Sequence, residues 1–345
     1  MRKFSFNLKK EALLLTDAID RRYFSGIEVA EGFLIVSDKK AYFTDARYNY
    51  AVSALLDGKD VSSNLYRCDD DIKAYLKNNG IKTVYLNFEK TFVSDLIKYK
   101  KLGVKIKDCS DFLKSLRQIK NENELDDIKT ACKIAQTALY ETISLLKEGI
   151  TELEFKDALV KNFLLHGASG ESFDTIVAFG ENSAVPHHVT GNTKLIKDSV
   201  VLIDTGCVYN GYCSDITRTL FFGTPTDEFI KTYDLVLKAN KDAINGIYAG
   251  ISGFDADKLA RDVLKDACIS EYFTHSLGHG IGLEIHESPY LSPKSKDILL
   301  ENTVFSVEPG VYFNGKFGIR IEDTVMLKDS KAVRLFNDDK NLIVL

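Results

Sequence analysis

The sequence contains no stretch approaching ~18 consecutive apolar residues, so no membrane-spanning helix is expected. Residues Met1 to Lys10 hold no apolar core of the secretory type, and no signal peptide is expected. None of the six cysteines (Cys68, Cys109, Cys132, Cys207, Cys213, Cys268) forms a C-x-x-C pair. That spacing argues against a thiolate metal site. Scattered free thiols in a chain this long fit a reducing compartment, so a cytoplasmic location is expected. There is no basic excess either. The net charge is -5, which argues against nucleic acid as the main partner. Neither histidine nor proline occurs before His166. Chemistry that depends on histidine therefore belongs to the later part of the chain.

What is present describes an ordinary globular protein. The 345 residues are 45% hydrophobic and 28% charged, enough for two domains, each with a core. The first ~120 residues alternate strand-like and helical segments. Gly32 to Ser37 and Ala41 to Asp45 read as strands joined by an Asp-Lys-Lys turn, Asp69 to Asn79 as a helix with an acidic start, and Thr83 to Leu86 as a short strand. Arg117 to Lys120 reads as the crossing between domains. Beyond it, Leu125, Ile128, Ala131, Ala135, Leu139, Ile143 and Leu146 share one helical face, and the helix is expected to end near Gly149. Glu122, Glu124, Asp126 and Asp127 place negative charge at its N-terminus, where the dipole favours it. Thr151 and Glu154 form a capping box for a helix running toward His166.

Two hairpins carry four carboxylates. Val200 to Ile203 is an apolar strand leading into Asp204, Asn210-Gly211 is a two-residue turn, and Tyr212 to Phe222 is the return strand with Asp215. In that register Asp215 faces Gly206, two residues from Asp204, so both aspartates point to one side as diagonal neighbours. In Thr303 to Met326, a three-residue loop Asn314-Gly315-Lys316 makes Glu308 face Glu322. Four carboxylates do not gather in a half-buried site without cations. Gly278-His279-Gly280-Ile281-Gly282 supplies histidine. Its glycines are expected to bend a strand enough to bring His286 to the same pocket as His279. Two divalent cations balance the four acids, with His279 neutral. Oxygen-rich ligation with one imidazole suits Mn²⁺, Co²⁺ or Zn²⁺. Such a pair activates water and polarises a carbonyl, which is hydrolase chemistry.

These segments resemble the pita-bread metallopeptidases, the family of methionine aminopeptidase, aminopeptidase P and prolidase. The resemblance rests on SFDTIVAFGENSAVPHH (Ser172 to His188), DTGCVYNGYCSDITRT (Asp204 to Thr219), HSLGHGIGLEIHE (His275 to Glu287), SVEPGVY (Ser306 to Tyr312) and GIRIEDTV (Gly318 to Val325), in the family's order. It implies an α/β (α+β) chain. A creatinase-type N-terminal α/β domain would occupy residues 1–120 and a pita-bread catalytic domain residues 121–345. It implies Asp204, Asp215, His279, Glu308 and Glu322 as metal ligands, with Asp215 and Glu322 bridging. His187 resembles the histidine that contacts substrate at the scissile bond, and His286 the one that stabilises the oxyanion. Arg320 is implied as a substrate-side residue that orients Glu322, and Glu308 as the proton carrier. Tyr23 to Tyr48 resembles the N-terminal domain of the proline peptidases. The implied activity is cleavage of the bond before proline, as an Xaa-Pro aminopeptidase, with a homodimer as the expected assembly.

Three rival readings stand beside this one: an Xaa-Pro dipeptidase (prolidase), a metal-free creatinase, and a binding protein that kept the fold without catalysis. His188 and His275 are expected to flank the site, and His166 to end a helix. Cys213 shares the strand parity of Asp215, though a buried free thiol is its commoner role. Asp45 and Arg47 are expected to be structural, and Asp69 to Asp71 a solvated helix start.

Overall fold

A computed structural model describes residues 7–345. The chain divides into two compact units, one ending at Leu116 and one spanning Arg117–Leu345.

The first unit is built on six strands: β1 (Glu11–Leu15), β2 (Phe33–Val36), β3 (Lys40–Thr44), β4 (Ser62–Leu65), β5 (Thr83–Leu86) and β6 (Lys105–Asp108), in the order β4-β3-β2-β1-β5-β6. The β2–β3 hairpin is antiparallel, with Phe33 opposite Phe43. β1, β5 and β6 run parallel. The central strands β1, β2, β3 and β5 are mostly apolar because both faces of the sheet are covered there, while the edge strands β4 and β6 are polar and partly exposed. Leu14, Ile35, Phe43 and Val84 face one core with Ile72 and Leu76 of the helix Asp69–Asn78. Leu13, Leu34, Tyr42 and Tyr85 face the other, with Val52 and Leu113. Asp45 and Arg47 pair with each other, and Arg47 also reaches Glu31, all on the surface.

The second unit opens with helix α1 (Glu122–Ile143), capped by a reciprocal Asn121–Glu124 box. Leu125, Ile128, Ala131, Ala135, Leu139 and Ile143 are all buried, as the spacing predicts. The helix stops at Ile143, earlier than expected. Leu145 and Leu146 make tighter bonds back to Thr142 and Ile143, and Gly149 turns the chain with φ +88°. Helix α2 (Glu152–Leu165) starts at the predicted Thr151–Glu154 capping box, and His166 is its C-cap. These helices share a core with β7 (Ile176–Phe179), β8 (Ser199–Thr205) and β9 (Ile216–Phe222), a sheet ordered β9-β8-β7. A second helix pair, α3 (Asp227–Gly246) and α4 (Gly253–Asp266), shares a separate core with four strands. These are β10 (Gly278–Gly280), β11 (Glu287–Leu291), β12 (Val304–Val307) and β13 (Asp323–Lys328). Each core thus buries one helix pair mainly against one sheet, and the two sheets also contribute to each other's core, Val304 and Met326 to the first and Val200 and Phe221 to the second. No helix among the described residues is long and apolar enough to cross a membrane.

Both acid-bearing hairpins follow the predicted register. In the first, Thr205 pairs with Ile216 below a break and Val208 with Cys213 above it. Asn210 and Gly211 have φ of +46° and +78°, as the tight turn requires. In the second, Val307 pairs with Asp323 below the break and Gly310 with Arg320 above it, and Phe313–Phe317 closes a three-residue loop.

The return strand of the first hairpin is not continuous, contrary to expectation. Tyr212–Cys213 belongs to a different sheet from β9, with Ser214 and Asp215 between them. The Cys213 N–H bonds to Gly282 O and Ser172 Oγ donates to Ser214 O, which draws the chain aside. A Cβ at Gly206 would lie 1.9 Å from Ser214 O, so the crossing needs glycine. The second hairpin switches sheets in the same way at Glu308-Pro309 and Ile321-Glu322.

Candidate active site

The four acids sit at these breaks. Asp204 lies near the end of β8, Asp215 just before β9, Glu308 just after β12 and Glu322 just before β13. A switch between sheets frees a side chain from the cross-strand packing of either sheet. Asp204, Asp215 and Glu322 each present a carboxylate oxygen within 4.8 Å of the others. Asp215 and Glu322 are 4% and 1% exposed. Burial, then the neighbouring carboxylates, pushes both well above the usual carboxylate range.

His279 and Glu308 complete the group. His279 Nε2 is 3.3 Å from Glu308 Oε1 and 3.6 Å from Asp215 Oδ2. Its Nδ1 faces Gly280 O at 3.2 Å. A carbonyl only accepts, so Nδ1 carries the hydrogen and Nε2 is left for the carboxylate side. Burial opposes charge on both partners, but their mutual attraction wins. His279 is raised and Glu308 lowered to about 2. Ser306 Oγ accepts the His279 N–H at 3.0 Å and donates to Glu308 Oε1 at 3.0 Å, which fixes the pair.

The donor set fits divalent cations. Asp204 Oδ1 and Glu322 Oε1 are buried oxygens with no hydrogen-bond partner within the protein. Buried carboxylate oxygens without donors are costly, and a cation removes that cost. Three oxygen-donor carboxylates beside an imidazole–carboxylate pair is the ligand chemistry of such ions.

His286 does not reach His279 through a bent strand. β10 ends at Gly280, which pairs with Glu287 of β11, and residues 281–286 form the connection between them. The loop folds His286 back until the two rings are 4.2 Å apart, edge to face. Gly282 packs on the Glu287 carboxylate, where a Cβ would lie 2.4 Å away. Burial and the neighbouring His279 lower the pKa of His286, which favours its neutral form. His286 and His187 are exposed and line one cavity of about 300 Å³ with the four acids and Arg320. Phe173, Ile176, Pro186 and Ile285 give that cavity an apolar side.

Arg320 does not act on Glu322 directly, contrary to expectation. Its Nη2 donates to Asp204 Oδ2 at 2.5 Å and its Nη1 to Tyr312 Oη at 2.6 Å. The Nε donates to Thr217 Oγ1 at 3.1 Å, and that hydroxyl donates to Glu322 Oε2 at 2.7 Å. The hairpins therefore hold each other's acids: Arg320 of the second holds Asp204, and Thr217 of the first holds Glu322. Beside them, His275 Nδ1 donates to Ser276 O and Nε2 accepts from Tyr312 Oη, both at 2.8 Å. His188 bonds to Glu152 and His166 to Glu141. Cys213 lies in the helix α1 core, and burial pushes its thiol up to about 12. Thr217, Ser306 and Tyr312 carried no signal in the sequence. A hydroxyl on an apolar strand is ordinary until its partner is known.

Residues 126–329 match the metallopeptidase family M24, and residues 7–119 match the creatinase/prolidase N-terminal domain. The chain belongs to family M24. It is a metallo-exopeptidase, and the family's use of divalent metals agrees with the acid cluster. The Xaa-Pro dipeptidase of Pyrococcus furiosus is 34% identical over 99% of this chain and 97% of that protein. An uncharacterized peptidase of Staphylococcus haemolyticus is 42% identical over 68% of this chain and 66% of that protein. Among solved structures, the X-Pro aminopeptidase from Thermotoga maritima superposes with a TM-score of 0.91 at 34% identity, covering 97% of this chain and 98% of that one.

Proposed function

We propose that this M24 member hydrolyses the Xaa-Pro peptide bond, releasing the N-terminal residue from peptides with proline in second position. The observation that carries the reading is the cluster of Asp204, Asp215 and Glu322, with two buried oxygens lacking partners, at the floor of a half-apolar cavity. In this reading Asp204, Asp215, His279, Glu308 and Glu322 would hold the two ions, with Asp215 and Glu322 shared between them. Two divalent cations bound there, Mn²⁺ before Co²⁺ or Zn²⁺, would acidify a water and polarise the scissile carbonyl. Glu308 takes the proton of the attacking water and delivers it to the proline nitrogen as the bond breaks. His286 donates a hydrogen bond to the oxygen on which charge develops. His187 holds the substrate beside the scissile bond. Arg320 keeps Asp204 aimed.

Proline suits the apolar side of the cavity, since its ring brings no N–H to satisfy there. The name of the Thermotoga relative supports the aminopeptidase reading, and that of the Pyrococcus relative the dipeptidase reading. One feature of the site favours the first. A dipeptidase must hold a free carboxylate. Among the described residues lining the cavity, Arg320 is the one arginine or lysine, and Asp204 already engages it. Peptide substrates, a homodimer and a cytoplasmic location belong to the same reading. The two-domain plan and the six free cysteines support the last two.

The test is cleavage of Ala-Pro and Ala-Pro-Ala by Mn²⁺-loaded protein, with an Asp215→Ala control. Tripeptide cleavage that the control lacks is expected. Cleavage of the dipeptide alone would make the protein a dipeptidase. Cleavage of neither, with Co²⁺ and Zn²⁺ also supplied, would overturn the proline reading.

A further inference from the structure

Glu152 is the first residue of α2, where the helix dipole favours an acid. The structure gives it more to do. The residue is 0% exposed, and each carboxylate oxygen accepts two hydrogen bonds. Oε1 accepts from the Phe179 N–H at 2.9 Å and from Asn182 Nδ2 at 2.8 Å. Oε2 accepts from the Gly191 N–H at 3.0 Å and from His188 Nε2 at 2.9 Å. Those donors span a single loop, from Phe179 at the end of β7 to Gly191. The base of the loop is closed by Leu153 N–H to Gly191 O at 2.9 Å and Glu152 N–H to Thr193 O at 3.1 Å. Thr190 Oγ1 adds a clasp, accepting from the Val177 N–H and donating to Thr175 O.

Pro186 and His187 are the residues of this loop that line the active-site cavity. The Pro186 carbonyl also accepts from Arg320 Nη1 at 3.4 Å. Val185, His187 and Val189 are exposed, while Ser183 is buried and its Oγ accepts from the Gly318 N–H at 2.9 Å. A chain of this kind takes its geometry from what grips it from below. An apolar plug would close the loop without the desolvation cost of a buried carboxylate. Four directional bonds specify instead where the loop runs, and the N-terminus of α2 lowers the cost of the charge.

We propose that Glu152 is the positioning residue for His187, a buried carboxylate that sets the depth and direction at which the loop presents His187 to the substrate. It touches no reacting atom. Its effect on catalysis passes through His187, so it depends on His187 being there. The proposal rests on the Xaa-Pro peptidase reading for its kinetic arm only.

The experiment is a double-mutant cycle of Glu152→Gln and His187→Ala, read by kcat and KM on the peptide that the parent cleaves. Glutamine keeps the size but replaces one acceptor oxygen by a donor. In the parent background, Glu152→Gln is expected to lower kcat/KM by about tenfold to a hundredfold, the usual cost of a displaced substrate contact. In the His187→Ala background the further change is expected to stay within about twofold. Bound metal per chain is expected to be unchanged, and faster amide exchange is expected to be confined to residues 179–193. An equal fold-loss in both backgrounds would overturn the proposal, as would loss of metal or exchange that rises throughout the second unit. If Glu152→Gln does not fold, Asn182→Ala removes one of the four bonds and runs through the same cycle. If the parent cleaves neither Xaa-Pro peptide, the substrate reading falls. Amide exchange then decides alone: a local rise keeps Glu152 as the anchor of the loop, and no rise overturns it.

Discussion

The two acid-bearing hairpins solve one problem in two ways. Each is a long antiparallel pair that changes sheet part-way, and each keeps one register across the change. In the first, a two-residue turn puts Asp204 and Asp215 on a diagonal. In the second, a three-residue loop puts Glu308 and Glu322 opposite one another. The consequence shows in their surroundings. Asp204 is held by Arg320 and stays partly exposed, while Asp215 is buried among carboxylates and strongly raised. Glu308 is paired with His279 and lowered, while Glu322 is buried and raised. Each hairpin thus supplies one acid with a close basic partner and one buried chiefly among carboxylates. The second kind, Asp215 and Glu322, is the pair proposed to be shared by the two ions.

The sharpest way to break this symmetry is Asp215→Ala. It should lower kcat/KM by about a thousandfold, because several kcal/mol of charge stabilisation leave with the metal. Metal content by elemental analysis should fall with it. The same substitution tests the electrostatics without metal. Asp215 and Glu322 hold protons in the folded state at pH values where the unfolded chain has lost them. Their contribution to the stability of the metal-free parent is therefore greatest at low pH and is lost as pH rises through their elevated values. Asp215→Ala should flatten that decline in a pH series of melting curves, and an unaltered slope would refute the assignment of the two proton-holding acids.

The cross-links offer a smaller effect. Arg320→Met leaves Asp204 without its cation, and Thr217→Val leaves Glu322 without its donor. Losses of about tenfold to a hundredfold in metal affinity are expected for groups that orient ligands. Arg320→Met should cost more, because its three donating nitrogens serve Asp204, Thr217 and Tyr312 at once. Metal titration of the two variants would show the opposite order if the hydroxyl, and not the guanidinium, were the chief link.

Least disruptive are the glycines at the breaks. Gly206→Ala drives a Cβ to 1.9 Å from the Ser214 carbonyl, backbone that cannot turn aside, and should cost about 1–3 kcal/mol in chemical denaturation. Gly310→Ala meets first the far end of the Tyr312 side chain at 2.6 Å. It should cost less in stability. Equal costs would mean that both breaks are equally rigid.

Much of this was legible because hairpin turns are local. Asn210-Gly211 and Asn314-Gly315-Lys316 set the registers, and the registers put the acids on shared faces. The Thr151–Glu154 capping box is equally local, and its helix begins where it predicts. What was hidden depends on distant partners. The change of sheet at Asp215 is caused by Gly282 and Ser172, and nothing near Tyr212 to Phe222 announces it. Arg320 shares a strand direction with Glu322, yet Asp204, from the other hairpin, takes the charge. A glycine-rich run such as residues 278–282 fits a bend as well as a reversal, and the chain makes the reversal. Glu152 gave no signal at all: its four donors come from a loop that begins 27 residues later.

The exchange of partners between hairpins also says when the site is made. Thr217 and Glu322 are 105 residues apart, and Thr324 reaches the carbonyl of Asp215 across 109. Most of each core comes from its own helix pair and sheet, whereas these links exist only once both halves have met. Closing so long a loop is an entropic cost that falls late, when little else is left to order. The ligand set is then expected to form after the folding transition state. Cations should leave the refolding rate almost unchanged and slow unfolding, so that metal acts on this chain as a latch on the finished structure and not as its nucleus.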